Sequence, residues 1–372
     1  MLRISRPDRI LYYLLTVLIS ISYTCLRFTM NVEFNWATWK MLYDLTAAIP
    51  YGNRILVPLL SRPLVALGSD IRGAYMFWET VSGILLVYGL YNVFRLYMDE
   101  KWSRIFSLLF FLFLPMAFLL QFKYHILYPN DTPAMAFTVL ALFLALKERW
   151  KLLVLLVAVA TLNRESSVLI PLIFAAMYAD KMGTKRFLLI LASLSVAYII
   201  VRLGIMELTR DNPHPYGGEM AFTYANKNSW RVNSNIAGLI YNPMNPFILL
   251  ATVDFTPFFI IMLRKRIPEH IMNLALVCGV YVFMLFFIGN IFEPRILGEV
   301  LAIAYVMVCL GTFSYLNETA LSAPNNTLRS EAPTPLAPVA ALVQRYGWYA
   351  LLIAGASGIT LLNVLGVKFF FR

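Results

Sequence analysis

An all-α polytopic membrane protein is the fold class this sequence predicts, on three observations. Of its 372 residues, 60% are hydrophobic and 14% charged, whereas a soluble domain carries about 25% charge. Apolar runs that are long enough, or nearly so, to cross ~30 Å of hydrocarbon recur from end to end. They are continuous rather than two-residue periodic, which argues against a membrane β-barrel. The basic residues fall in short clusters between the runs, as cytoplasmic loops require. The net charge of +11 therefore reads as topology and not as nucleic-acid binding.

The first apolar run, residues 10–28, follows Arg3, Arg6 and Arg9 and lacks a small-x-small cleavage site, so it is a retained helix. Further candidates lie near 53–68, 75–94, 104–120, 133–147, 151–163, 166–180, 186–207, 247–263, 270–289, 295–316 and 346–367. If all of them cross, the basic cluster at 95–104 lands outside. Removing 53–68, which Pro58, Arg62 and Pro63 interrupt, returns that cluster and those at 147–151, 180–186 and 264–266 to the cytoplasm. About eleven transmembrane helices and a cytoplasmic N-terminus result. Residues 29–74 become a long outer loop with interfacial helices.

Residues 208–246 form a second outer loop, rich in Asn, Pro and Tyr. The membrane domain covers 1–316. A Pro-, Ala- and Ser-rich stretch, 317–345, reads as a flexible cytoplasmic linker to one last helix within 346–372. Cys25, Cys278 and Cys309 lie in apolar segments without CxxC spacing, so neither a disulfide framework nor a zinc site is indicated. No internal repeat is visible, which weighs against an inverted-repeat transporter.

On this topology the acids outside the cytoplasmic clusters gather largely at the outer face: Glu33, Asp44, Glu79, Asp131, Glu165, Asp254 and Glu293. Arg54, Arg164, Arg202, Arg231 and Arg295 accompany them, although positive charge is disfavoured there unless something uses it. The stretch TLNRESSVLIP is the sharpest case. The run before it starts at Lys151 and rises only ~18 Å, so Arg164 and Glu165 sit below the outer surface. Neighbours on a helix do not face one another, and each needs its own partner. A cavity open to the outer face and lined by carboxylates and arginines satisfies both.

Such a cavity suits group transfer from a lipid-linked donor, whose phosphate sits at headgroup depth. Arginines hold a phosphate bidentately and stabilise it as a leaving group. A carboxylate removes the acceptor's proton. Trp36, Trp39, Tyr43, Tyr51, Tyr124 and Tyr128 offer faces for a sugar or a prenyl chain, or form the interfacial belt.

Four strings resemble the GT-C fold of integral-membrane glycosyltransferases: MLYDLTAAIPYGNRILVPLL, LYPNDTPAMAF, LNRESS and FEPRIL. The resemblance covers about a tenth of the chain in motifs and most of the rest in architecture. It implies a polyprenyl-phosphate sugar donor and inverting transfer to a glycan, lipid or protein acceptor. It also implies an active site on the periplasmic or exterior side of the plasma (inner) membrane. Asp44 becomes the general base, Asp131 assists the acceptor, Arg164 and Arg295 hold the phosphate, and Glu165 orients them. Arg54, Glu293, Tyr128 and His125 complete the substrate contacts.

The chain departs from the family pattern in that Glu33 and Asp44 are eleven residues apart rather than paired, and a DxD-like metal grip is absent, so no divalent metal is required by the sequence. Competing roles remain open: Asp131 as a helix cap, Arg164 and Glu165 as a structural ion-pair network, and Arg295 paired with Glu299 along one helix face. Two other function classes use the same features, a lipid-linked-sugar flippase or transporter and an outer-face polysaccharide polymerase or ligase.

Overall fold

The chain is all-helical: fifteen α-helices and no β-strand occur among the described residues of this computed structural model, namely 6–114, 118, 126–213, 231–241, 244–289, 291 and 293–317. The helices are α1 Arg6–Met30, α2 Trp39–Tyr43, α3 Leu56–Ala66, α4 Ile71–Phe94, α5 Glu100–Leu114, α6 Asp131–Leu146, α7 Trp150–Asn163 and α8 Leu169–Tyr178, followed by α9 Thr184–Leu208, α10 Arg231–Tyr241, α11 Met244–Thr252, α12 Thr256–Leu263, α13 Glu269–Met272, α14 Leu274–Ile288 and α15 Gly298–Leu316. The expected linker and final helix, 317–345 and 346–372, lie outside the described residues but for Asn317.

Among the described residues, four helical stretches are long and apolar enough to cross a membrane: Asp8–Met30, Thr184–Leu208, Glu269–Phe287 and Arg295–Leu316. A fifth is reached if α11 and α12, bent by 66°, count as one broken span. The chain is therefore a membrane protein by helix length and composition. The other expected spans appear as helices α4 to α8. Of these α4 carries Arg72 and Glu79, α7 has only 14 residues and α8 only 10. The segment at 53–68 forms α3, whose 11 residues rise roughly 16 Å, about half of a bilayer's hydrocarbon.

The core is built around α15, which is 83% buried along its most apolar window. Its Tyr305 hydroxyl donates to the Phe106 carbonyl at 2.6 Å, and its ring meets Phe94, Phe110 and Phe113. Gly298 opens α15 where an added Cβ would come within 2.9 Å of the Phe118 ring and 3.2 Å of Met135, so a larger residue there would have to push those side chains aside. α1 and α9 instead turn large apolar side chains outward, among them Leu14, Leu18, Leu189 and Ile200, as lipid-facing helices do.

A second, smaller apolar cluster joins the loop after α1 to the bundle through Phe28, Leu42, Val57, Tyr75, Leu127 and Tyr128. The Thr38 hydroxyl caps α2 by accepting from the Met41 amide at 3.2 Å, and the Asp70 carboxylate caps α4 at the Gly73 amide, 2.7 Å. The end of α9 straps this loop down. The Thr209 hydroxyl donates to Asn53 at 2.6 Å, and the Asn212 amide donates to the Leu45 and Ala47 carbonyls.

Candidate functional site

Seven elements deliver charge to one end of the bundle: the C-terminal turn of α1, the first third of α4, the start of α6, the α7–α8 turn, the segment before α3, the later part of α9 and the start of α15. Arg27 from α1 is buried completely and is the largest such side chain among the described residues. It donates to Glu79 of α4, to the Thr132 hydroxyl at 2.9 Å, to the Tyr128 carbonyl at 3.3 Å and to Asp131 Oδ2 at 2.9 Å. Thr132 in turn donates to Glu79 at 2.6 Å.

The second oxygen of Asp131, Oδ1, faces two more arginines, Arg164 at 3.2 Å and Arg295 at 3.8 Å. Arg164 also lies 3.6 Å from Glu299, which accepts a hydrogen bond from the Ser166 hydroxyl. Arg295 donates to Glu293 at 2.7 Å. Arg54, just before α3, grips Glu165 with two nitrogens at 2.8 and 3.4 Å. Arg202 of α9 lies close enough to act on Glu165 electrostatically. Five arginines thus meet five carboxylates, and the formal charges cancel. Buried ions require such compensation.

Two stacked rings brace the cluster. Tyr51 and Tyr128 lie parallel, centroids 5.0 Å apart and 3° between planes. The Arg295 guanidinium covers Tyr128 at 4.1 Å, and Arg54 lies 5.5 and 5.7 Å from the two rings. Arg295, Tyr128 and Tyr51 therefore stack in sequence, which restrains the arginine's plane. Burial pushes the Tyr51 phenol above its usual pKa, and the Glu293 charge adds to the effect.

The structure brings together most of the residues expected from sequence. Asp131, Glu165, Arg54, Arg164, Glu293, Arg295 and Tyr128 all belong to this cluster. Asp44 does not: it ends α2, is exposed, and pairs with Lys40 at 2.8 Å. That hydrogen bond holds the Lys40 ammonium above its usual pKa. His125 lies outside the described residues.

Two expected local pairings differ. Asp131 is not a helix cap: it is the first residue of α6, and both its oxygens serve arginines. Arg295 bonds Glu293 instead of Glu299, because a 3-10 turn at Pro294–Leu297 takes Arg295 off the helix on which Glu299 sits. Arg164 and Glu165 do take separate partners, since Arg164 has extended backbone and Glu165 opens a 3-10 turn.

Sequence reasoning gave no role to Arg27, although an arginine near the end of an apolar helix is itself a signal. It also passed over Asn130 and Asn163. Both are fully buried, yet Asn130 Oδ1 and Nδ2 and Asn163 Oδ1 have no hydrogen-bond partner. No arginine or lysine pairs with Glu33 among the described residues, and its carboxylate accepts from the Trp39 amide at 3.2 Å. Comparison with protein-family models and with curated proteins yields no match to this chain.

Proposed function

We propose that the chain is an integral-membrane glycosyltransferase of the GT-C kind, with about eleven spans and its charged end on the outer side of the plasma membrane. It would move a sugar from a polyprenyl-phosphate donor to a glycan, lipid or protein acceptor. One observation carries the reading. Motif residues from four distant parts of the chain, Arg54, Asp131, Arg164 and Arg295, share one buried network in which guanidinium nitrogens remain uncommitted: Arg54 Nη1, Arg164 Nε and Arg295 Nε and Nη1. Uncommitted buried N–H groups call for an acceptor, and a phosphate offers several oxygens in the geometry a guanidinium prefers.

In this reading the arginines hold the phosphate and stabilise the charge it gains as it leaves. The acceptor oxygen bonds to the anomeric carbon from the opposite side as the carbon–phosphate-oxygen bond breaks, inverting the configuration. The acceptor's proton passes to a first-loop carboxylate. Asp44 is the sequence's candidate, and its pair with the exposed Lys40 is a solvent-screened attraction that yields easily. Glu33 competes with it because no cation engages it. Glu165, Glu293 and Asp131 position the arginines.

The test is transfer by the purified protein in lipid from a panel of radiolabelled polyprenyl-phosphate sugars, with Asp44→Asn and Glu33→Gln beside wild type. Transfer or slow hydrolysis by wild type that one variant abolishes, with folding retained, establishes donor class and base together. Binding without turnover for every donor would move the reading to a flippase.

A further inference from the structure

Asn130 and Asn163 bring uncommitted neutral amide atoms to an end of the bundle where the other uncommitted atoms lie mostly on charged groups, the Oε2 oxygens of Glu79 and Glu299 among them. Everything unpaired on the arginines is a donor. The two asparagines add unpaired acceptors, Asn130 Oδ1 and Asn163 Oδ1, together with one donor, Asn130 Nδ2. The two residues touch, Asn163 Nδ2 donating to the Asn130 carbonyl at 2.9 Å. That bond fixes which end of the Asn163 amide is oxygen, because only the NH2 can donate to a carbonyl. Asn130 precedes Asp131 and Asn163 precedes Arg164, so the Asn163–Asn130 bond joins the same two chain segments that the Asp131–Arg164 ion pair joins at 3.2 Å. Asn130 occupies the capping position of α6 but makes no side-chain cap bond, so the usual structural reason for an asparagine there is missing.

An anion alone cannot satisfy this set, because a phosphate brings only acceptors to Asn130 Oδ1 and Asn163 Oδ1. The complementary group carries O–H donors that also accept, beside an anionic centre. Vicinal sugar hydroxyls fit: a carboxamide takes a hydrogen bond from one hydroxyl and gives one to its neighbour. A buried amide left unpaired is destabilising. A site built around such groups rejects a ligand that lacks the matching hydroxyl. We propose that Asn130 and Asn163 form a subsite that reads hydroxyls of the transferred sugar beside the arginine cluster, and so determine donor specificity. This rests on the transferase reading for the sugar being the transferred one, but the hydroxyl recognition itself does not.

The experiment uses full-length protein in lipid nanodiscs. Transfer is measured for the best polyprenyl-phosphate sugar and for its 2-, 3-, 4- and 6-deoxy analogues, with wild type, Asn130→Leu and Asn163→Leu. Saturation-transfer NMR with methyl glycosides runs in parallel. At least one deoxy analogue should lose about a hundredfold in kcat/KM on wild type. That penalty should shrink below about threefold in the variant that lacks its partner. Binding of unglycosylated polyprenyl phosphate should stay within twofold in both variants. Penalties of equal size in wild type and variants would overturn the subsite, as would variants that lose polyprenyl-phosphate binding as far as donor turnover. If a variant fails to fold, a flat wild-type response to all deoxy analogues still overturns it. Glycoside contact that needs both asparagines, without transfer from any donor, would sink the transferase and keep the subsite. Neither transfer nor glycoside contact on wild type would end both.

Discussion

Arg27 and Asp131 stand 104 residues apart in the chain and meet at 2.9 Å, both within the closed interior. Arg27 takes one oxygen of the carboxylate, which turns the other toward Arg164 and Arg295. The orientation of two arginines at the site is thereby set from the far side of α6, by a residue of α1. Glu79 and Thr132 hold Arg27 in turn.

Removing Arg27 should be far costlier than removing any surface charge. Arg27→Met leaves Glu79 and Asp131 without their shared cation, and breaking a buried pair from one side costs about 3–5 kcal/mol. Thermal unfolding in detergent should drop by at least ~5 °C. Adding Glu79→Gln to Arg27→Met should recover part of that loss, because one stranded charge disappears. A double variant no more stable than Arg27→Met would show that the two residues do not act as a unit.

Lys40→Met should do almost nothing to stability. The Lys40–Asp44 pair is exposed and local, an i,i+4 contact of the sort that solvent screening leaves weak. The same unfolding measurement should place this variant within ~1 °C of wild type. A large shift would mean that α2 depends on the pair, and that Asp44 is held too firmly to serve as a base.

Tyr128 separates a stacking role from an open sugar platform. Its ring is buried, with Arg295 and Tyr51 against it, so its task is to hold Arg295. Tyr128→Phe keeps the ring and should retain transfer within about threefold, whereas Tyr128→Leu removes the cation–π contact and its ~1–2 kcal/mol, lowering kcat by about tenfold or more. Equal losses in both variants would point instead to the hydroxyl.

Gly298→Ala should loosen the seat of α15. The new methyl would meet the Phe118 ring at 2.9 Å and Met135 at 3.2 Å, an overpacking that costs about 1–3 kcal/mol. Because Arg295 and Glu299 bracket this glycine, transfer should fall more than unfolding temperature does. A variant with normal activity and lower stability would separate the packing of α15 from the site.

The membrane class and helical content were legible because composition and continuous apolar runs are averages over many residues, insensitive to local detail. The arginine cluster was legible because charge at membrane depth has few explanations. What stayed hidden was pairing. Asp131 in PNDTP has the sequence of a helix cap, and only the approach of α1 and α15 makes it a shared counterion. Arg295 and Glu299 have helical spacing, and only the turn at Pro294 separates them. Arg27 lies in no motif, and Asn130 and Asn163 sit inside LYPNDTPAMAF and LNRESS without a role that the strings themselves announce. Their importance comes from burial, which contacts between distant segments create.

The position of α3 tests the topology on which the orientation rests. Its 11 residues rise about 16 Å and carry the exposed Arg62, and the exposed Leu67 and Gly68 follow them directly, so the chain should return to the side from which it entered. Ser69→Cys, in a background lacking Cys25, Cys278 and Cys309, should then react with a membrane-impermeant maleimide added to intact cells. Lys185→Cys, at the start of α9 and therefore at the opposite end of the bundle, should react only after permeabilisation. Protection at 69 with labelling at 185 would invert the orientation and place the charged end in the cytoplasm, where nucleotide-activated donors replace lipid-linked ones. Labelling at both positions would make one of the helices α4 to α8 the wrong choice of crossing, because an even number of membrane passages would then separate the two cysteines.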